Sequence, residues 1–303
     1  MTYRLLVVNY GGPSPGRETE YLKNLFSDPV VFPLPSPVRR VFANLMALWR
    51  RGESARILEE LGGKSPLLEQ TLEQARALGR LLGPEWKVSA AMLYSRPLLS
   101  EVLREVKDQR VVVLPLFPQY SAATWGSVRR VLSESPAEGT AGLARPFYDC
   151  ELFLLGWEEA LGETLKGLKE PFLLFSAHSL PLYLIRRYSD PYPRQVEETA
   201  RRLAKRLDLP FAVGYQSKLG PVKWLEPSTE NLIKELAKRG VKELVVVPIS
   251  FTAENSETLW EVDLNYRKLA REAGIDEFRR VPVPHLSPRW LECWRALALE
   301  AAK

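Results

Sequence analysis

A stretch late in this chain echoes one near its middle, and the echo restricts the fold more than any other feature. Residues 111–124 read VVVLPLFPQYSAAT, and residues 244–257 read LVVVPISFTAENSE. Each opens with an apolar, β-branched run, the mark of a strand buried on both faces. Each then turns and enters a helical pattern. Pro115 to Thr124 spans the same interval as Pro248 to Glu257, so Thr124 and Glu257 are pseudo-equivalent. VVNYGGP (7–13) and FSAHSLP (175–181) form a second pair, which makes Tyr10 and His178 pseudo-equivalent. One plan used twice predicts two similar units.

The rest of the chain fits that plan. Strands are expected at 3–9, 88–93 and 111–117, and again at 172–175, 211–215 and 244–249. Helices are expected at 18–26, 38–49, 67–82, 98–106 and 124–132, then at 192–207, 229–239 and 287–302. The alternation predicts an α/β protein: two similar Rossmann-like domains with parallel sheets and an active-site cleft between them. The domains are expected at 1–148 and 149–303, with the closing helix 287–302 able to pack back on the first. Ligands of such sheets gather beyond the carboxyl ends of the strands. Tyr10 and Thr124 would then line one wall, and His178 and Glu257 the other.

Composition excludes several classes. The 303 residues are 46% hydrophobic and 26% charged, ordinary for a globular chain. No apolar run reaches the ~18 residues that suggest a membrane span. The first residues, MTYRLLVVNYGG, enter a strand directly and lack a signal-peptide layout, so a cytoplasmic location is expected. Cys150 and Cys293 form no CxxC and are too few for a cluster. The net charge of +5 comes with no nucleic-acid motif. Anionic small substrates fit it, as does a plain preference for arginine. The helix at 38–49 carries Phe42, Leu45, Met46, Leu48 and Trp49. It reads either as a packed helix or as a hydrophobic lip over a cleft or against a membrane surface.

Three local patterns bear on chemistry. Gly62-Gly63-Lys64-Ser65-Pro66 lacks the spacing of a phosphate loop, and Ser65 and Pro66 are placed to start the next helix. Glu257 and Glu261 lie four apart, so they share a helix face, with Asn265 one turn further; Leu259, Val262, Tyr266 and Leu269 mark the packed side. That face is either a solvated acidic surface or a cation-binding one. His178 follows a buried strand, and a histidine there is either structural or a proton acceptor. One histidine and a carboxylate make a poor resident zinc site but suit transient capture of a divalent ion. There is no GxSxG elbow and no GxGxxG turn.

Taken in order, GGP after the first strand, GGKSPL, VVVLPLFPQYSAAT, FSAHSLP, YQSKLGPVKWLEP and FTAENSETLWEVD resemble the ferrochelatases. The resemblance runs from Leu5 to about Tyr266. It implies an enzyme that inserts ferrous iron into a porphyrin held between two Rossmann-like domains. His178 matches the family's active-site histidine, a proton acceptor, a metal ligand or both. Glu257 matches a metal-side acid, and Glu261 and Asn265 continue a polar path for hydrated cations. Phe251 matches an aromatic beside the macrocycle, and Ser65, Tyr120, Ser121, Thr124 and Trp125 fall where members hold substrate. Tyr10 matches the tyrosine that, in members acting on coproporphyrin III, ligates product iron opposite the histidine. LFSDP at 25–29 instead resembles the type that acts on protoporphyrin IX. Arg39, Arg40, Arg50, Arg51 and Arg56 are candidates to pair with substrate carboxylates.

The chain departs from the family at Asn255, where histidine is common, and at Leu93, where a basic residue is common. With two cysteines, it is expected to lack the iron–sulfur cluster of animal enzymes. Iron enters as substrate and no prosthetic group is expected. The expected partners are porphyrin and ferrous iron, not nucleic acid; the resemblance also admits peripheral membrane contact and transient contact with other heme-pathway enzymes. Rival readings are a chelatase for another tetrapyrrole, such as cobalt insertion into sirohydrochlorin, a porphyrin-binding protein without catalysis, and a two-domain glycosyl transferase.

Overall fold

The computed structural model describes residues 2–106, 110–218 and 220–303. The chain forms two compact units. The first comprises Met1–Phe117, Ser121–Pro146 and Trp290–Lys303; the second comprises Pro118–Tyr120 and Phe147–Arg289. The division is therefore not a single cut: a short strand-end loop clusters with the second unit, and the C-terminal segment with the first.

The first unit holds β1 (Tyr3–Asn9), α1 (Glu18–Phe26), α2 (Ser36–Glu60), α3 (Leu67–Leu82), β2 (Trp86–Met92), α4 (Leu99–Glu105) and β3 (Arg110–Pro115). A short π-helix, π1 (Ala122–Gly126), then leads into α5 (Ser127–Ser133) and β4 (Gly142–Leu143). The second unit holds α6 (Glu151–Leu165), β5 (Pro171–His178), α7 (Leu182–Tyr188), α8 (Tyr192–Leu207), β6 (Phe211–Gln216), α9 (Thr229–Lys238) and β7 (Glu243–Pro248). A longer π-helix, π2 (Glu257–Tyr266), runs into α10 (Arg267–Ala273) and then β8 (Glu277–Arg280). The chain closes with α11 (Pro288–Ala301).

The two sheets have the same order, β2-β1-β3-β4 and β6-β5-β7-β8, and every strand pair is parallel. Parallel strands need covered faces. The residues supply this: Leu5 to Val8, Val111 to Leu114, and Leu244 to Val247 are all buried. Leu244 and Val246 point to one face and pack with Leu232, Ile233 and Leu236 of α9 and Val262 and Tyr266 of π2. Each fully buried aliphatic side chain contributes about 1.5–3 kcal/mol.

Register makes the repeat concrete. Val8 of β1 pairs with Pro115, and Ser176 of β5 pairs with Pro248. The N–H of Leu116 donates to Val8 O at 2.8 Å, and the N–H of Ile249 donates to Ser176 O at 3.1 Å. Tyr10 and His178 therefore stand at the same register step, two residues on from Val8 and Ser176, at the carboxyl ends of equivalent strands. Along the other neighbours, Asn9 pairs with Met92 and Ala177 with Tyr215, so Tyr94 and Ser217 correspond as well.

Helices α6 and α7 stand outside the expected set, and two expected helices differ in extent or type. Helix α2 runs to Glu60 rather than stopping near residue 49. Arg50 and Glu53, and Arg56 and Glu60, pair along its surface and carry it past Gly52, at roughly 0.2–0.5 kcal/mol per pair. The helix after β7 is a π-helix, with Thr258, Val262, Tyr266 and Ala270 buried at a strict interval of four. An interval of four lies between the 3.6 residues of an α-helical turn and the wider π turn, and Ala270 already belongs to α10. Leu259 and Leu269 lie off that stripe and are only half-buried.

Candidate active site

In the second unit, three segments converge past the carboxyl ends of β5, β6 and β7. His178 is the last residue of β5 and Gln216 the last of β6. The backbone of His178 is held from both sides: its N–H donates to Ser250 Oγ at 3.1 Å, and its carbonyl accepts from Tyr192 Oη at 3.0 Å. Its ring Nδ1 lies 2.7 Å from Glu257 Oε2, across the start of π2. A carboxylate only accepts, so Nδ1 carries the hydrogen, and Nε2 of the neutral ring keeps the lone pair.

The same carboxylate oxygen takes further bonds. Ser217 Oγ donates to Glu257 Oε2 at 2.9 Å, and Gln216 Nε2 approaches it at 3.4 Å. Glu261, one turn further along π2, accepts the Ser217 N–H on Oε1 at 2.8 Å and the Tyr266 hydroxyl on the same oxygen at 2.8 Å. Its Oε2 makes a very short contact with Ser217 Oγ. Ser217 can do this because it sits at φ +65°, in the left-handed region that ordinary side chains avoid.

These groups titrate as a set. Burial opposes charge on the His178 ring, but the Glu257 charge and hydrogen bond outweigh it, so the His178 pKa is raised. Burial pushes Glu257 up, yet His178, Ser217 and Gln216 pull it below its ordinary value. Glu261 is raised, by burial first and then by the Glu257 charge. The Ser217 hydroxyl has one hydrogen for two carboxylates, and a protonated Glu261 would supply the second. The His178 ring is nonetheless 39% accessible, so the site is both enclosed and open to a reactant.

Asn255 caps π2. Its Oδ1 accepts from the N–H of Glu257 at 2.8 Å and of Thr258 at 3.3 Å. The stretch from Thr252 to Asn255 reads as a turn, yet all four residues are buried. Glu254 explains why: it pairs with Arg280 of β8 at 2.7 Å, accepts the Val283 N–H at 2.9 Å and bonds the Thr258 hydroxyl. Nothing in the local sequence announces that partner, which lies 26 residues away. Phe251 is half-buried just past β7, and Asn265 is exposed beyond Glu261 on π2.

The first unit has its own cluster past β1. The Tyr10 ring meets Tyr94 edge-on at 4.8 Å and Phe117 at 6.5 Å. The Tyr94 hydroxyl donates to Asp28 Oδ2 at 2.8 Å and lies 3.2 Å from Ser127 Oγ. Asp28 also accepts the Val30 N–H at 2.8 Å and faces Arg130 at 3.5 Å. Burial, then Tyr10 and Asp28, keep Tyr94 well above the ordinary phenol range. Gly11 turns the chain after Tyr10 at φ +90°, where a Cβ would stand 2.5 Å from Ser95 Oγ. The Ser65 hydroxyl lies 3.5 Å from the Leu67 N–H, and Pro66 rather than Ser65 immediately precedes α3. Trp125 is fully buried, its Nε1 donating to Phe117 O at 3.1 Å. Ser121 is buried and caps π1 through Ala123 N–H, and Thr124 is half-buried beside it. Tyr120 belongs to the second unit, where its N–H donates to Gln195 Oε1 at 2.6 Å. Trp125 and Ser121 thus back the surface, while Tyr10, Ser65 and Thr124 keep exposed area.

Among the described residues, no three His, Cys, Asp or Glu side chains gather closely enough to hold a metal ion. Cys150 and Cys293 are free thiols. No described helix is long and apolar enough to cross a membrane.

The fold, with two four-stranded parallel sheets of the same order, is shared with solved structures. CbiX, the terminal enzyme for siroheme biosynthesis in denitrifying bacteria, superposes with a TM-score of 0.56 over 100% of both chains at 15% identity. SirB from Bacillus subtilis with Fe3+ gives 0.56 over 100% of this chain and 96% of its own at 14% identity. Likenesses at that identity define the fold alone. Sequence goes further. The model of the ferrochelatase family matches residues 4–302. A ferrochelatase of Aquifex aeolicus is 41% identical over 95% of this chain and 95% of its own length. One of Synechococcus sp. (strain JA-2-3B'a(2-13)) is 40% identical over 97% and 91%. The chain belongs to the ferrochelatase family and is an enzyme.

Proposed function

We propose that this enzyme inserts ferrous iron into coproporphyrin III in heme biosynthesis, with His178 and Glu257 as the catalytic pair. Metalation removes two pyrrole N–H protons as iron enters the ring. In this reading Nε2 of His178 accepts one proton at a time and releases it to solvent before the second leaves the ring, while Glu257 orients the imidazole and meets the incoming cation. The observation that carries the reading is the 2.7 Å contact between His178 Nδ1 and Glu257 Oε2 at the carboxyl ends of β5 and β7.

A site with few ligands suits iron as a substrate. The ring itself offers four nitrogens, so the protein needs to supply only one or two transient donors. Glu261 serves as the next carboxylate for the cation and Tyr10 as a ligand of product iron. Ser65, Thr124 and Phe251 contact the ring, and Tyr120, Ser121 and Trp125 support that contact. No prosthetic group or iron–sulfur cluster is required. Strain on the bound ring would supply part of the barrier reduction. Arg40 and Arg51 are exposed on α2 and form no ion pair among the described residues, which leaves them available for substrate carboxylates.

Tyr10 favours coproporphyrin III by its resemblance to the tyrosine of members that act on that ring, and its register at the end of β1 equals that of His178 at the end of β5. The LFSDP stretch points to protoporphyrin IX, likewise by resemblance. Its Asp28 has a structural task here, as the acceptor for Tyr94, Val30 and Arg130. The exposed stripe of α2, with Val41, Leu45, Leu48 and Trp49 more than half accessible, fits a hydrophobic lip.

The test is anaerobic metalation of coproporphyrin III and protoporphyrin IX side by side with ferrous iron, followed by absorption. Faster turnover of coproporphyrin III supports the reading. Preference for protoporphyrin IX keeps the reaction and removes the argument from Tyr10. Tight binding of either ring without metalation would overturn the proposed reaction.

A further inference from the structure

We propose that Ser217 is a positioning residue for this reaction: it ties Glu257 and Glu261 into one unit and sets the Glu257 carboxylate against His178. The inference rests on the reading of Glu257 as the metal-side carboxylate. Three observations carry it. Ser217 touches both acids with its hydroxyl and Glu261 with its N–H as well. It does so from a left-handed backbone at φ +65°, a conformation a serine holds only when its surroundings demand it. And the side-chain hydrogen bonds to Glu257, from His178, Ser217 and Gln216, all fall on Oε2.

The consequence is geometric. A carboxylate on π2 has rotamer freedom. Bonds from two sides to Oε2 remove it and turn Oε1 toward the side that these donors do not occupy. A cation that meets Glu257 there does not have to break the contact with His178. Glu261 is gripped more fully: Oε1 by the Ser217 N–H and the Tyr266 hydroxyl, Oε2 by the Ser217 hydroxyl. Like charges four apart on a helix repel, and Ser217 offsets that by giving each acid a donor of its own, its hydroxyl to Glu257 and its N–H to Glu261. Register places Ser217 where the first unit has Tyr94, the residue that packs on Tyr10. Each unit thus uses the same position past its outer strand to support the residue past its central one.

The test is Ser217→Gly. Glycine keeps φ +65° without strain and retains the N–H to Glu261, so the change removes the hydroxyl alone. Two readouts decide. The chain has only two histidines, so imidazole nitrogen NMR at fixed pH resolves His178 in the metal-free protein. The His178 Nδ1 resonance should move toward that of a free ring. In steady-state metalation, kcat/KM for ferrous iron should fall on the order of tenfold to a hundredfold, the factor expected from losing a hydrogen bond to a charged group. The porphyrin KM should stay within about twofold. An unshifted His178 resonance overturns the proposal, as does an equal loss toward both substrates. If the wild-type chain metalates no porphyrin, the functional reading fails instead, and the resonance alone still decides whether Ser217 sets the pair.

Discussion

Glu257 meets His178 through the same oxygen that Ser217 and Gln216 hold, so the carboxylate reaches the imidazole already fixed in orientation. An amide at this position keeps the size and loses the charge. Glu257→Gln should lower metalation on the order of a hundredfold, within the range for loss of a positioned acid–base pair. Porphyrin affinity, measured by fluorescence quenching, should change little. Equal losses in rate and affinity would remove Glu257 from the metal side.

The pair also fixes a pH dependence. The His178 pKa is raised. Its stabilisation is therefore fully present below the ordinary value of about 6.5 and is lost as pH rises through the folded value. The Glu257 pKa is lowered. Its stabilisation is present above about 4.3 and is lost as pH falls through the folded value. Proton acceptance needs the neutral ring, so metalation should increase with pH through the raised His178 pKa, above 6.5, while stability falls slightly. Thermal unfolding of His178→Ala against pH should lack the alkaline loss seen in the wild type. Parallel curves would separate His178 from the ion pair.

Much of this was legible in the sequence, for identifiable reasons. The strands of the repeat are long β-branched runs, and their buried faces leave no other reading, so equal spacing past Pro115 and Pro248 located Glu257 directly. His178 followed from the matching step past β1 and β5. The π-helix was not legible, because Glu257, Val262 and Tyr266 also satisfy an α-helical spacing within one or two turns. The buried stripe from Thr258 to Ala270 has an interval of four, which lies between the two periods and does not separate them. The role of Ser217 was hidden as well. YQSKLGP was visible as a motif, but nothing local states that residue 217 takes a left-handed backbone or meets acids more than 40 residues later. Helix α6 was missed because Glu151–Leu165 is apolar with little sidedness, burying Phe153, Leu154, Trp157 and Leu161. Strands β4 and β8 are too short to carry a period.

Tyr10 tests the choice of porphyrin. If its phenol ligates product iron, Tyr10→Phe should shift the absorption spectrum of the iron-bound coproporphyrin complex and weaken product retention. The ring would remain seated against Tyr94 at 4.8 Å, so the fold should not change. An unaltered spectrum would end the axial-ligand role.

The last prediction concerns the anchor of π2. Glu254 and Arg280 are each about one-tenth accessible (11% and 9% for their side chains) and 2.7 Å apart. The bond ties the residue just before the Asn255 cap to the edge strand β8. Breaking a buried pair by neutralising one member costs about 3–5 kcal/mol. In Glu254→Gln, Arg280 would still have Asp263 at 3.3 Å, which places the loss near the lower end, at about 3 kcal/mol. Burial limits screening, so added salt should not restore it. Urea unfolding should show the midpoint falling at every ionic strength. The His178 resonance should broaden as well, because the cap that seats Glu257 is no longer tied to the sheet. An unchanged midpoint would mean that the hydrogen bonds from Val283 and Thr258, not the charge of Glu254, hold the start of π2.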